Sequence, residues 1–521
     1  MTTFSEHIER EIRDIVGDEC SFDSANLETY SKDASWYKVT PVGVVHPRSA
    51  EEVQALVRSC LKHDLAIIPR GAGTGLAGQA IGYGLVLDFT THMNKVLEVQ
   101  DNSVTVQPGL LLGALNAHLA PQKRYFPIDP ASGSLCTLGG MIGTNAAGSH
   151  GIKYGATKHY VKDLTVVLSD GEIATISDDI ASVDEQRTPF LSSCIKTLTP
   201  VLDQHKDLIR QKFPDVRKNS SGYNLTDVFR GRKRDFRRLF VGSEGTLGIT
   251  VQATLETAVV PPFRLGAAIY LPTYEKTADA IVLGMELEPA ALEILDNTYV
   301  ALVKGTSPEI DALILDEARA MLYVEFEGQS KDDLEKQVLQ LNRSVSLSMP
   351  LKFLPLTKDS DIRAIWKLRE EASKVINLVK SKGKSSFIED VTVPVHQIPS
   401  YLRGLANILG PRGIEFSAYG HAGAGNIHCA TFVDLHNTDH YRSIDSIASE
   451  VYDLAISLGG TLSGEHGDGY IRTPFLERLY GPEVYELFRT VKKTFDPHGI
   501  FNPGKIVGPQ NESILHDLDL S

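Results

Sequence analysis

The tightest constraint on this chain lies at residues 69–78, which read Pro-Arg-Gly-Ala-Gly-Thr-Gly-Leu-Ala-Gly. A stretch this rich in glycine is a poor continuation of a helix or a strand, because each glycine loses much backbone freedom and packs no side chain. Gly73, Gly75 and Gly78 satisfy the G-x-G-x-x-G spacing of a dinucleotide turn. That turn needs a helix directly after it, whose N-terminus receives the pyrophosphate. Here Gly82 and Gly84 follow instead, and then a strand-like run, Leu85–Asp88. The stretch therefore reads as a loop between two strands. Its successive backbone N–H groups can still form a nest for a diphosphate, and a plain glycine linker is the alternative left open by this loop alone. Residues 139–148 (Gly-Gly-Met-Ile-Gly-Thr-Asn-Ala-Ala-Gly) and 242–248 (Gly-Ser-Glu-Gly-Thr-Leu-Gly) repeat the combination of backbone donors and small polar side chains.

Around these loops, strands and helices alternate. The patterning predicts strands at 42–46, 65–68, 85–88, 104–107 and 164–168, with helices at 49–63 and 111–119. Ser49 and Glu52 form the capping-box pair that opens the first of these helices. Phe4, Ile8, Ile12 and Ile15 stand at helical spacing in an acidic N-terminal stretch, which reads as an amphipathic helix and not a signal peptide. A strand-like run over 251–262 closes on Pro261-Pro262, a domain boundary by its proline pair. Strands at 265–270, 320–326 and 414–419 follow, separated by helices at 332–344 and 361–380, and a long helix is expected at 444–458. A chain of 521 residues with this alternation implies more than one domain and an α/β or α+β architecture.

The formal net charge of -14 argues against nucleic acid as a partner. It also means that an anionic substrate needs a local Arg or Lys anchor. The five cysteines include no C-x-x-C pair, which excludes a cysteine-only zinc or iron–sulfur site and fits a reducing compartment. No apolar run is long enough to span a bilayer. The expected location is cytoplasmic, with peripheral contact on the inner membrane face as the furthest departure.

The segment Tyr-Gly-His-Ala-Gly-Ala-Gly-Asn-Ile-His separates His421 from His428 by seven positions. On one continuous strand that odd spacing points the rings to opposite faces. A helix would align them, but Gly423 and Gly425 disfavour one. A tight reversal at 423–425 lets both imidazoles converge. Two histidines and a carboxylate make a good divalent-metal site, and Glu465 in Ser-Gly-Glu-His-Gly-Asp-Gly is the candidate third ligand. Its neighbour His466 then stays free for acid–base work. Spacing alone favours two hydrogen-bonded core histidines and an unrelated glutamate. Arg369, in Trp-Lys-Leu-Arg-Glu-Glu-Ala-Ser, can hold a carboxylate through two parallel N–H bonds, or pair on the surface with Glu370 or Glu371.

Taken in order, the 69–78 loop, residues 127–132, the 139–148 loop, Lys-Asn-Ser-Ser-Gly-Tyr-Asn-Leu at 218–225, the 242–248 loop, 421–428, 464–469 and 502–505 carry a resemblance. The chain resembles the FAD-linked oxidase family with a vanillyl-alcohol-oxidase-type flavin domain, near the D-lactate, glycolate and D-2-hydroxyglutarate dehydrogenases. The implied fold is α+β. It has a two-subdomain FAD-binding domain over 1–260, a substrate or cap domain with an antiparallel sheet over 261–440, and a C-terminal helical segment over 441–521 that completes the active site. The resemblance implies FAD contacts from Arg70, Gly71, Ala72, Gly73, Thr74 and Gly75, and further from Ser132, Gly139, Gly140, Thr144, Asn145 and Gly148. Glu244, Ile249 and Asn502 complete the set. Relatives that attach flavin covalently do so through a His or Cys in the first loop; Ala72-Gly73-Thr74 implies a non-covalent cofactor.

The same resemblance implies a zinc-like ion on His421, His428 and Glu465, His466 as catalytic base, and substrate contacts from Arg369, Ser373 and Asn426. Tyr223 and Asn224 could reach the substrate or flavin edge, or serve as core or turn residues with no such role. A metal-activated hydroxyl would give its proton to His466 and its C2 hydride to flavin N5. Ala424 stands where relatives often carry Asp, and Ile388 where dicarboxylate enzymes carry Lys, with Lys384 a substitute of uncertain register. The implied substrate is a small anionic D-2-hydroxy acid of the D-lactate or D-2-hydroxyglutarate class. The acceptor is a quinone, cytochrome, electron-transfer flavoprotein or iron–sulfur protein, and a homodimer is compatible with the reading. Two alternatives stand beside it. One is the flavin subunit of an iron–sulfur-linked complex. The other is a non-redox alkyl transferase, against which Glu465 in place of a His argues. Arg230, Arg232, Lys233, Arg234, Arg237 and Arg238 form a basic cluster, read as a solvated loop or ion-pair network in preference to a dock for an acidic partner or anionic lipid.

Overall fold

The structure is a computed structural model that describes residues 6–178, 185–230, 233–380, 384–385, 387–510 and 512–519. The N-terminal helix spans Glu6–Val16 and buries Ile8, Ile12 and Val16; Ile15 is only half-buried, and Phe4 lies outside the described residues. Helix Ala50–Lys62 starts at Ser49, whose hydroxyl accepts from the Glu52 N–H, and Glu52 in turn accepts from the Arg48 N–H. The two helices cover one face of a four-stranded sheet, packing into one apolar cluster with strands Leu85–Asp88 and Ile67–Arg70. These strands and Gly43–Val45 pair in parallel. No helix lies between Ile67–Arg70 and Leu85–Asp88, so the glycine-rich loop does join two strands directly.

A second sheet has five antiparallel strands in the order Val96–Val99, Ser103–Val106, Ile249–Glu256, Val161–Val167 and Ile173–Ile176. Just after Pro261-Pro262 the chain enters Phe263–Leu271, which belongs to a third sheet. That sheet is entirely antiparallel and ordered Lys352–Leu356, Phe263–Leu271, Ala320–Gly328, Ala291–Asp296, Phe416–His421, Asn426–Thr431 and Val391–Thr392. Helices Tyr274–Met285 and Lys331–Val345 cover one of its faces and Asp359–Lys380 packs on the other. Mixed helix and antiparallel sheet gives the α+β class that the resemblance implied and that the patterning left open beside α/β.

After helix Thr438–Ser457 the chain comes back to the first sheet. The Ile67 N–H donates to Ile500 O at 2.7 Å and the Asn502 N–H to Ile67 O at 2.9 Å, so the far end of the sequence extends the sheet from which the first glycine loop departs. All five cysteines are buried and form no disulfide, as expected of small apolar residues. Among the described residues no helix is long and apolar enough to cross a membrane. Arg237 and Arg238 are buried on Asp235, which accounts for this part of the basic cluster as an internal ion-pair network. Arg234 pairs with Asp203, while Arg232 and the side chains of Arg230 and Lys233 lie outside the described residues.

Candidate active site

A cleft of about 850 Å³ runs between the glycine loops and the third sheet. That volume lies within the range of roughly 300–1,000 Å³ in which proteins hold cofactors and ligands. Along one wall lie Arg70 to Gly75, Ser132, Gly139, Gly140, Thr144, Glu244 and Ile249. Among the described residues, the backbone N–H groups of Gly71, Ala72, Gly73, Thr74 and Gly75 donate to no protein acceptor. Five consecutive backbone donors without a protein acceptor beside a cleft form a nest that suits a diphosphate. Gly73 sits at φ +66, where a side chain would be strained. The Arg70 guanidinium is tied to Lys32 O and Ala80 O, so it staples the loop.

The second glycine stretch corrects the sequence reading. It is not a loop throughout: Leu138–Thr144 is a helix whose first turn is capped by Thr137, with the Gly140 N–H donating to Oγ1 at 3.2 Å. It ends at Asn145 in the left-handed region, whose Oδ1 accepts from the Lys158 N–H at 3.1 Å. Asn145 therefore faces a second, smaller cavity and does not line the cleft. Two other expected cofactor contacts are also absent from the lining. Gly148 packs against Asp129, where a Cβ would come within 2.2 Å of its carbonyl oxygen, and Asn502 donates to Gln79 O and Glu244 O.

The far end of the cleft is built on a hairpin. Strand Phe416–His421 turns through 422–424 into Asn426–Thr431, which is the reversal required for the two histidines to converge. Tyr419 lies opposite His428, and His421 two residues on shares its face. His421 Nε2, His428 Nε2 and Glu465 Oε1 form a triangle with edges of 3.3, 3.3 and 2.9 Å. Tetrahedral ligands at about 2.0–2.1 Å from zinc stand about 3.3 Å apart, so the triangle fits a metal. The remaining ring nitrogens are occupied as metal-bound histidines require: His421 Nδ1 meets Glu293 Oε1 at 2.7 Å and His428 Nδ1 meets Glu389 O at 3.0 Å. Burial opposes charge on Glu465, but His421 and Lys218 outweigh it and hold the carboxyl well below the usual range. Lys218 Nζ lies 2.6 Å from Glu465 Oε2. Burial likewise lowers His428, favouring its neutral, ligating form.

His466 lines the cleft beside this triangle. Its Nδ1 lies 2.9 Å from Glu389 Oε1 and its Nε2 is 3.6 Å from Glu465 Oε1. Glu389 is itself held by Arg472 at 2.8 Å. Burial disfavours the imidazolium, but Asp390, Glu389 and Glu465 push the group up to about 9; a divalent ion held by Glu465 would oppose that rise. Donor atoms of Asp390, His428, Glu465 and His466 also lie within 4.8 Å of one another. Asp390 Oδ2, however, already accepts from Ser463 Oγ and from the N–H groups of Glu465 and His466, which makes it the anchor of that loop.

Helix Asp359–Lys380 presents Trp366, Arg369, Glu370, Ser373 and Ile376 along one side of the cleft, at helical spacing. Arg369 is not a surface residue. Its guanidinium lies 3.1 Å from Glu293 Oε2, donates to Ser149 Oγ and stacks 5.6 Å from the Trp366 ring. Burial opposes ionisation of Glu293, but Arg369 and His421 lower it to about 2. Ser373 lines the cleft too, with its hydroxyl between Arg369 O and Tyr299 OH.

Three expected substrate residues do not reach the cleft. Tyr223 is fully buried, hydrogen-bonded to Thr246 and packed edge-on against Phe488 of helix Pro482–Phe495, so its ring fills the core. Asn224 bonds Asp227 at 3.0 Å and lines the smaller cavity. Asn426 is buried, donating to Asp390. Ile388 is buried, and the side chain of Lys384 lies outside the described residues. Lys218, Glu293, Glu389, Asp390, Trp366 and Arg472 went unassigned from sequence. Glu293 alone carried a signal of its own, a charge inside the apolar strand Ala291–Asp296.

Comparison with known proteins adds to this geometry. Residues 41–177 match the family model described as FAD binding domain, and residues 260–506 match the one described as FAD linked oxidases, C-terminal domain. The chain is 29% identical to D-2-hydroxyglutarate dehydrogenase of Pantoea ananatis over 95% of its length but spans only 51% of that relative, about half. It is 28% identical to glycolate oxidase subunit GlcD of Bacillus subtilis, covering 93% of this chain and 94% of that one. It is 31% identical to the probable mitochondrial D-lactate dehydrogenase of Danio rerio, covering 97% and 93%. Among solved structures, p-cresol methylhydroxylase superposes with a TM-score of 0.72 at 14% identity over 97% of each chain. An alkyldihydroxyacetonephosphate synthase superposes with 0.67 at 17%, over 96% of this chain and 85% of that one. At such identities these structures share the fold.

Proposed function

This chain belongs to the FAD linked oxidases, and on that premise we propose that it oxidises a small D-2-hydroxy acid to the 2-oxo acid, using non-covalently bound FAD and a divalent metal, zinc being the best fit. The observation that carries the reading is a convergence. The 71–75 loop, the His421–His428 hairpin and the Glu465-His466 pair are far apart in sequence yet meet around one cleft, with a buried arginine on its wall.

When bound, FAD supplies a two-electron acceptor and the ion supplies Lewis-acid polarisation of the substrate hydroxyl. His421, His428 and Glu465 would hold the ion. Arg369 binds the substrate carboxylate, its guanidinium already oriented by Glu293 and Ser149 so that little freedom is lost on binding. His466 takes the hydroxyl proton at Nε2, while its Nδ1–H is donated to Glu389, fixing the tautomer. Buried Arg472 holds Glu389 in place for that task. Trp366, Ile376 and Ala430 supply apolar surface beside the reacting carbon and help to exclude water. Reoxidation of the reduced flavin then requires an electron acceptor.

Anaerobic mixing with D-lactate, D-2-hydroxyglutarate, glycolate and D-malate tests the reading. One D-acid is expected to bleach the flavin absorbance within seconds, and its L-enantiomer to leave it unchanged. A protein that none of the acids reduces is not a hydroxy-acid dehydrogenase, and a non-redox transferase would then gain support.

A further inference from the structure

Behind the Arg369 wall lies a second cluster of charges that the chemistry above does not use. His150 Nδ1 is 2.6 Å from Asp129 Oδ2, and its Nε2 is 3.0 Å from Glu325 Oε1. Both ring nitrogens thus face carboxylate oxygens, and a neutral imidazole has only one N–H to give. Glu327, also fully buried, lies 3.9 Å from Nε2. It is matched by Lys153 at 3.0 Å, by Arg264 at 3.1 Å and by the Tyr154 hydroxyl at 2.6 Å. Three carboxylates therefore face three cations only if His150 is charged. Because Lys153 and Arg264 already neutralise Glu327, the cluster has no need of a metal.

The cluster bridges two parts of the fold. Asp129 lines the cleft next to the 130–132 turn, whereas Glu325 lies on strand Ala320–Gly328 inside the third sheet. Glu325 Oε2 also accepts from the Tyr323 hydroxyl and from the Trp366 indole N–H, the latter at 3.1 Å. Trp366 is a cleft wall, it stacks on Arg369, and its ring lies 5.7 Å from that of His150. Ser149, which receives the Arg369 guanidinium, is the residue next to His150 in the chain.

We propose that His150 is a positioning residue: as an imidazolium it clasps Asp129 of the cofactor-lining turn to Glu325 of the third sheet, and through Glu325 it sets Trp366 and Arg369 for the substrate carboxylate. The role of Arg369 rests on the function proposed above; the clasp itself does not. Burial works against charge on His150, but Asp129 and Glu325 raise it well above its ordinary value. The remaining groups packed around it are Glu327, Arg264, Lys153, Tyr125, Tyr154 and Tyr323, and the cations among them balance Glu327. Raising the pH through the elevated value removes the charge and one N–H, so that only one of Asp129 and Glu325 keeps its hydrogen bond to the ring.

The chain has two tryptophans, so flavin-loaded protein carrying 5-fluorotryptophan gives two fluorine signals, which Trp36→Phe assigns. The Trp366 signal is expected to titrate with a midpoint above 6.5 and to lose that titration in His150→Gln. In turnover, His150→Gln is expected to raise KM for the hydroxy acid about ten-fold while kcat changes less than about three-fold, with flavin content unchanged. A Trp366 signal that stays fixed between about pH 6 and 10 in the native chain overturns the proposal, as does one that titrates identically in the variant, or an unchanged KM. Should His150→Gln fail to fold, Glu325→Gln and the native titration decide the same question. The fluorine titration needs no substrate, so a chain that no hydroxy acid reduces refutes the proposed function while the clasp is still judged.

Discussion

His466 shows how one side chain acquires a role from its neighbours. Glu389 fixes one ring nitrogen and the other opens toward the cleft, so the group is oriented before any substrate arrives. Removing it leaves the glycine loops untouched. In His466→Ala the rate of flavin reduction by the preferred acid is therefore expected to fall by about 10²–10⁴, as for loss of a general base, with the yellow cofactor retained. Stopped-flow reduction at saturating substrate measures this, and a rate near that of the native chain would remove His466 from the mechanism. Glu293 belongs at the same scale. It lies 2.7 Å from His421 and 3.1 Å from Arg369, so a single buried carboxylate links the proposed metal ligands to the proposed substrate anchor.

Among the elements, the hairpin around 421–428 brings together the two histidines proposed to hold a metal. Its turn depends on Gly425, which sits at φ +76 and where a Cβ would come within 1.9 Å of Val393 O. Gly425→Ala therefore meets both backbone strain and a clash with another main chain. It is expected to cost roughly 1–3 kcal/mol or more of stability and to spread the two histidines. A lower Tm together with metal content well below that of the native chain, by elemental analysis, would bear this out; full metal loading at an unchanged Tm would count against it. Helix Asp359–Lys380 is the other decisive element, since its spacing alone delivers Trp366, Arg369 and Ser373 to the same side of the cleft.

At the scale of the whole molecule, the C-terminal stretch and the third glycine turn are locked together by Glu244. Its carboxylate accepts the N–H groups of Asp468 at 2.6 Å and Gly469 at 3.0 Å. Burial, and then the nearby Asp468 carboxylate, hold Glu244 protonated far above the ordinary 4.5. The unfolded chain releases this proton near 4.5 and the folded chain keeps it, so more protons are bound in the native state above that pH. Stability from this group is thus greatest below about pH 4.5 and falls as pH climbs toward the raised native value. Thermal unfolding from about pH 5 to 8 should show Tm decreasing with pH, with a shallower slope in Glu244→Gln; identical slopes would exclude the buried proton.

Much of this was legible in the order of residues. The strand–loop–strand setting of the first glycine run, the helix over 359–380 and the turn between His421 and His428 all follow from local rules, because glycine placement and apolar spacing act over a few residues. Local rules also mislead: Tyr223 and Asn224 stand in a motif that suggests a ligand, yet packing against Phe488 and pairing with Asp227 turn them away from the cleft. Lys218 lies 247 positions from the glutamate it holds, and His150 lies 175 from Glu325. Sequence by itself determined the elements, the glycine-lined loops and the types of group available for chemistry. Only the tertiary structure decided which charges share one buried space. Coulombic and hydrogen-bond partners act over a few ångströms, and the chain comes that close only after its sheets have packed.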